Sequence, residues 1–200
     1  MTDAYRFDES STEQAIAYAK IYAGENYSPA METVLKVAFS EKRNLPTFRL
    51  KSSDTILLSG YMKKWVGAYL AGYNNRPSVR TGNCSGTHPD PMAKTILRAR
   101  ISGLEDNLAD KIVARHSLLM TIENNIGELL EEYLSVKLSP LGWYCCWGST
   151  IDAVDFCKAD GSLLQIKTSD NSENSSSSRV RQGTPIGKWF RRFSRRPGGY

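Results

Sequence analysis

No stretch of this chain approaches the ~18 uninterrupted apolar residues that a membrane-crossing helix needs. The N-terminus, Met1-Thr-Asp-Ala-Tyr-Arg-Phe-Asp-Glu9, carries acidic groups where a secretory leader wants basic ones. The reading is an intracellular protein with no membrane association. Cysteine is sparse, and Cys84, Cys145, Cys146 and Cys157 lack CxxC spacing, which argues against a structural zinc site and leaves them as reduced packing residues. A zinc set drawn from Cys84, His88 and the Cys145/Cys146 pair is disfavoured as well, because adjacent residues on a strand point to opposite faces. No internal repeat is found. Acidic residues are absent from Asn174 to Tyr200, where seven basic ones stand (Arg179, Arg181, Lys188, Arg191, Arg192, Arg195, Arg196), leaving 19 basic against 21 acidic elsewhere. The net charge of +5 is therefore gathered in one tail. With Trp189, Phe190 and Phe193 interleaved, that tail suits a polyanion with phosphates and stackable bases; the plainer alternative is a solvated basic terminus.

What is present is material for one core: 200 residues, 40% hydrophobic and 24% charged. The expectation is a single domain over 1–200, with a helical part at 1–114 and an α/β part at 115–200. Apolar residues recur at three- and four-residue spacing through the first two thirds, predicting helices near 11–24, 29–41, 54–72, 90–102 and 105–138. Ser28-Pro29 caps the second, and the fourth starts within His88-Pro-Asp-Pro91. Asn74 to Thr87, rich in glycine, asparagine and proline, reads as an exposed loop. In the fifth, Leu130, Leu134 and Leu138 form one stripe before Pro140 and Gly142 stop the helix. Beyond them Trp143–Trp147, Ile151–Cys157 and Ser162–Thr168 are β-prone, with Ala159-Asp160-Gly161 as a turn. The fold class is α+β: a mostly helical first two thirds and a small mixed sheet in the C-terminal third.

Hydrolysis of a phosphodiester needs a group that holds a divalent metal at the phosphate and one that orients or deprotonates a water. A hairpin does this economically, with an acid on its first strand and, on its second, an acid or amide two residues before a lysine, since such residues share a face. Val154-Asp-Phe-Cys-Lys-Ala-Asp-Gly-Ser-Leu-Leu-Gln-Ile-Lys167 offers that pattern. A three-residue loop with Gly161 left-handed sets Asp155 against Gln165, with Lys167 on the same face. A two-residue turn at Asp160-Gly161 moves the register by one and favours Asp152. Packed Val154 and Phe156 around Asp155 favour the first, and Asp152 stays open. Alone, the three residues fit an ordinary solvated hairpin better, since such triplets are common on solvated strands. Glu131, on a helix ending just before the sheet, adds a carboxylate, in competition with Glu123, Glu128 and Glu132.

These residues resemble the PD-(D/E)XK nuclease superfamily, with glutamine for the usual acid as in Mrr-like enzymes. The longer run is more specific: Thr121-Ile-Glu-Asn-Asn-Ile-Gly-Glu-Leu-Leu-Glu-Glu-Tyr-Leu134, Gly142-Trp143, Val154-Asp-Phe156, Leu164-Gln-Ile-Lys167, Asp170 to Ser178, Gly183-Thr184 and Lys188-Trp-Phe-Arg191. Over roughly 115–193 the chain is similar to the SinI group of type II restriction endonucleases. The resemblance implies a homodimer that cleaves double-stranded DNA with Mg²⁺ at a short GG...CC palindrome of the GGWCC kind, in a bacterial-type cytoplasm. It also implies a metal set of Asp155, Gln165 and Ile166, with Asp155 bridging the metal, Gln165 adding an oxygen and Lys167 aligning the water. Because Gln165 is neutral, Glu131 is the natural source of a second negative charge. The superfamily core continues after the lysine strand with a helix and a further parallel strand. Only 33 residues remain here, and no β-prone run is found among them, so the expectation is a C-terminally incomplete chain whose site hairpin has a sheet neighbour missing on one side or supplied by the N-terminal region.

Asn171-Ser-Glu-Asn-Ser-Ser-Ser-Ser-Arg-Val-Arg181 follows the lysine and is either a flexible linker or a DNA-reading segment. In the second reading Asn171, Asn174, Ser175, Ser176, Ser177, Ser178 and Thr184 reach phosphates or base edges, while Arg179 and Arg181 address neighbouring guanines. Thr184-Pro185 reads as a helix start, placing Lys188, Arg191 and Arg192 on a short helix facing phosphates. Two further functions remain in view: a repair or junction nuclease recognising DNA shape, and a DNA-binding module without catalysis.

Overall fold

Ala15, Ala19 and Ala23 recur every fourth residue along α1 (Thr12–Ala23) and are buried with Ile16. Small side chains on that stripe let α3 (Leu58–Asn74) approach closely. In this computed structural model residues 7, 9–48, 57–80, 92–169 and 186–192 are described, excluding the side chains of residues 117, 119–121, 123, 124, 168, 169 and 192. Between α1 and α3 lies α2 (Pro29–Ser40), which begins as its sequence predicts: the Ser28 hydroxyl accepts from the Met31 N–H at 3.2 Å and proline occupies the first turn. Met31, Val34, Leu35 and Phe39 of α2 meet Tyr61, Met62 and Trp65 of α3 in the core. The polar tips of the large aromatics are not stranded there. Tyr61 donates to the Pro46 carbonyl at 3.0 Å and Trp65 to the Thr150 carbonyl at 2.9 Å. The second bond ties the helical layer to the loop that carries the sheet.

α4 (Met92–Arg100) and the 33-residue α5 (Asp106–Leu138) complete the helices, so each of the five expected helical regions holds one. Lys94 bonds Asp110 at 2.8 Å and Arg98 pairs with Asp106 at 2.7 Å, joining α4 to α5. A turn at Ser139–Leu141 and left-handed Gly142 (φ 78°) then reverse the chain into β1 (Trp143–Cys145).

β1, β2 (Phe156–Lys158), β3 (Leu163–Ser169) and β4 (Ile186–Arg192) form a sheet in that order, antiparallel except for the parallel β3–β4 pair. The fold is thus α+β, with a small mixed sheet in the C-terminal part. Phe156↔Leu164 and Cys157↔Leu163 give the register of a three-residue loop. Its closure follows from local chemistry. Gly161 adopts φ 86°, its N–H reaches the Lys158 carbonyl at 3.0 Å, and the Asp160 carboxylate accepts from the Ser162 N–H at 2.9 Å.

β4 corrects two expectations. Ile186–Arg192 is a strand and not a helix, and it covers the side of β3 that was expected to lack a neighbour. Pro185 suits the position before an edge strand as well as a helix start, because its missing N–H need not face a partner there. Pairing with β3 then decides for the β-prone Ile186, Trp189 and Phe190. β4 runs parallel to β3, the orientation that the resemblance calls for.

Two glycines set how closely α3 and the sheet-bearing loop can approach. Gly148 is left-handed (φ 68°), and a Cβ there would run into the Ala68 carbonyl; one on Gly72 would meet the Gly148 backbone. Gly148→Ala combines backbone strain with overpacking and is expected to cost roughly 2–5 kcal/mol, read as a lower urea midpoint at unchanged slope.

Candidate active site

Asp155 lies just before β2, held between buried Val154 and Phe156. Its backbone N–H donates to the Leu164 carbonyl at 3.0 Å and its carbonyl accepts from the Cys146 N–H at 2.8 Å. The carboxylate then takes the next ladder bond, accepting from the Ile166 N–H at 2.6 Å. A side chain thus takes the place of the backbone just ahead of β2, which fixes a carboxylate at the start of that strand. Burial pushes this carboxyl above its ordinary range, against the Ile166 N–H and the Lys167 ammonium, which favour the ionised form.

Gln165 and Lys167, two apart on β3, share a face. Gln165 is only 7% exposed, and its amide nitrogen donates to the Ala153 carbonyl at 3.1 Å, leaving its oxygen as the atom for ligation. Ala153 holds φ 56°, a strained value for a residue with a Cβ. The Gln165 bond, together with the Asp152 N–H donating to the Asn44 carbonyl at 2.9 Å, holds this bend in place. Asp152 sits in that bend. Ile166 contributes its N–H to the Asp155 carboxylate.

α5 supplies Glu131. Its carboxyl is pushed up to about 7, first by burial and then by repulsion from Asp155. The competing glutamates are engaged elsewhere: Glu128 pairs with Arg80, and Glu132 takes the Ser78 N–H at 2.9 Å and the Arg76 guanidinium at 3.4 Å. The side chain of Glu123 lies outside the described residues. Arg76, Ser78 and Arg80 follow α3 and clamp α5 in rotation, a contact the sequence did not suggest because they fall in a segment read as an exposed loop. Nothing local marks them, since the partners are some fifty positions away in the chain (|i−j| of 54 for Ser78 and Glu132). The structure brings together Asp155, Glu131, Gln165 and Lys167, and the three-residue register favours Asp155 over Asp152.

Cys145, Cys146 and Cys157 are buried packing residues. Cys84 and His88 lie outside the described residues, and so does the segment with Asn171, Asn174, Ser175, Ser176, Ser177, Ser178, Arg179, Arg181 and Thr184. The β3–β4 register redistributes the basic residues beyond it. Gln165↔Lys188 and Lys167↔Phe190 put Lys188 and Phe190 on the Gln165/Lys167 face, while Trp189 and Arg191 take the other; Arg192 stands opposite Ser169.

Among the described residues no group of three or more His, Cys, Asp and Glu is placed to hold a metal ion. The donor set fits a hard divalent cation nonetheless. Two half-buried carboxylates, one of which raises the other's proton affinity, are relieved by a cation between them, and an amide oxygen is an acceptable third ligand.

The family model for SinI restriction endonuclease matches residues 52–200, and the chain belongs to that family. Among curated relatives, it is similar to the type II restriction enzyme SinI of Salmonella infantis, 46% identical over 115 residues, covering 55% of this chain and 50% of that one. It is also similar to the type II restriction enzyme Eco47I of Escherichia coli, 44% identical over 115 residues with the same coverage. The chain spans about half the length of the curated relatives it matches. No helix among the described residues is long and apolar enough to cross a membrane.

Proposed function

We propose that this chain is a type II restriction endonuclease that cleaves double-stranded DNA by metal-assisted hydrolysis at a GG...CC palindrome of the GGWCC kind, acting as a homodimer. The observation that carries the reading is the Glu131–Asp155 pair set beside Lys167, in a member of the SinI restriction endonuclease family. Asp155, Glu131 and the Gln165 oxygen would hold Mg²⁺, with Ile166 orienting Asp155 through its N–H. The cation supplies Lewis acidity at the scissile phosphate when bound. Lys167 orients the attacking water and lowers the cost of its lost proton. Lys188, on the same sheet face, meets the phosphate backbone on approach.

Base reading is assigned to the segment after β3. Arg179→Ala or Arg181→Ala is expected to cost on the order of 1–3 kcal/mol at one guanine position and to relax discrimination there. Lys188→Ala should instead weaken binding to all sequences alike and lower the salt slope by about one. Competition binding with cognate and single-substituted duplexes checks both; equal loss on every duplex for all three variants would reduce the segment to an electrostatic clamp.

The decisive experiment incubates the protein with plasmid DNA and Mg²⁺ and sequences the ends. Discrete fragments sharing one terminal sequence establish the reading. Cuts at junctions or lesions without a common sequence indicate shape recognition, and binding without cuts indicates a non-catalytic module.

A further inference from the structure

Six large apolar side chains are exposed on α5 among the described residues: Leu108, Leu118, Ile122, Leu129, Tyr133 and Val136, each between 45% and 68%. Single exposed apolar residues are ordinary on a protein surface. These six are aligned. At 3.6 residues per turn they fall within an arc of about 80° and run about 40 Å along the helix. Ile122, Leu129 and Val136 repeat every seventh residue, the period of paired helices. Contacts within the chain use the opposite side of α5, where Ala109 is fully buried and Glu131 is half-buried and feels the charge of Asp155. The rotation that delivers Glu131 to the carboxylate site therefore turns the stripe outward.

Half-exposed side chains of this size offer on the order of 100 Å² each. Two copies closing the stripe then bury about 1,200 Å², above the ~1,000 Å² that a specific interface clears. The pattern along the stripe also selects a direction. Its basic residues, Lys111 and Arg115, stand in the N-terminal half of α5 and are exposed, so parallel copies would set like charges face to face. Antiparallel copies about a twofold axis at Ile122 set Leu108 against Val136 of the partner subunit, Leu118 against the partner's Ile126, and Ile122 against its own counterpart. The stems of Lys111 and Arg115 then lie over the partner's Tyr133 and the partner's Leu129, with their charged ends in water. We infer that α5 pairs with α5 of a second copy in this antiparallel register, forming an isologous interface. It gives the homodimer of the proposed function its surface, and it stands without DNA or metal.

The test uses the whole 200-residue chain without DNA or metal, so its outcome is separate from that of the cleavage assay. Sedimentation equilibrium should show a dimer at micromolar concentrations. Leu129→Glu and Tyr133→Glu alter side chains that are exposed in the single subunit. Each should raise the dissociation constant about tenfold or more, while far-ultraviolet circular dichroism shows the fold retained. Cross-linking reads the register in a chain with its apolar stripe otherwise intact. Under mild oxidation Ile122→Cys should link two subunits well above the parental background. Leu108→Cys or Val136→Cys alone should not, whereas a mixture of the two should. A parent that stays monomeric at every concentration overturns the inference, whether the stripe is then covered by another part of the chain or by a different protein. So does a dimer whose affinity both glutamate variants leave unaltered. Self-linking by Leu108→Cys alone overturns the antiparallel register.

Discussion

Lys167→Ala is expected to abolish plasmid cleavage while leaving duplex affinity within a few-fold of the parent. The reasoning is geometric. Lys167 shares its sheet face with Gln165 and its charge acts on Asp155, so its ammonium is aimed at the reacting centre and not at the duplex at large. Loss of one preorganised charge at such a centre costs about 10²–10³-fold in rate, and loss of the water-orienting group adds to it. Filter binding in Ca²⁺, beside a Mg²⁺ cleavage time course, separates the two quantities. Near-parental cleavage would remove Lys167 from the mechanism. Asp155→Ala should be equally inactive, whereas Asp152→Ala, altering a side chain outside the carboxylate pair, should retain cleavage.

Glu131→Gln is expected to separate stability from activity in opposite directions. The Glu131 carboxyl titrates near 7 in the folded protein against an ordinary 4.5. Between those values the native state holds a proton that the unfolded chain has lost. The contribution of this carboxyl to stability is therefore greatest below pH 4.5, falls as pH rises through that window, and levels off above about 7. At about 1.4 kcal/mol per unit, the cost at alkaline pH is on the order of 3 kcal/mol. Glutamine fills the same volume without the charge, so in chelator at pH 8 the variant should melt several degrees higher than the parent. It should also lose much of the stabilisation that added Mg²⁺ gives the parent, together with about 10²–10³-fold in cleavage. A melting temperature in chelator that falls at pH 8, or that keeps the parental pH dependence, would sink the electrostatic account of this pair.

Local chemistry made much of this architecture legible from the sequence. Helix positions followed from apolar spacing and from the Ser28-Pro29 start, because both act within a few residues. The hairpin register stayed open between two turns in the sequence, with packed Val154 and Phe156 favouring the three-residue loop, and the structure closes that loop with a left-handed Gly161 and an Asp160 carboxylate bonded two residues ahead. Ile186–Arg192 went the other way. Thr184-Pro185 and a run of basic and aromatic residues satisfy helix and strand rules alike, and only the unpaired edge of β3 decides between them.

The sequence by itself determined the residue types available for chemistry: an aspartate before a β-prone run, a glutamine two residues ahead of a lysine, and several glutamates on one long helix. Among Glu128, Glu131 and Glu132, tertiary structure alone sets one apart. Arg76, Ser78 and Arg80 hold Glu132 and Glu128 on one side of α5, while Glu131 is half-buried and feels the charge of Asp155. That choice rests on contacts between residues distant in the chain, whose energies depend on burial and on the orientation of a whole helix. Neither quantity exists until the core of α1, α2 and α3 has closed on the loop that carries Asp155.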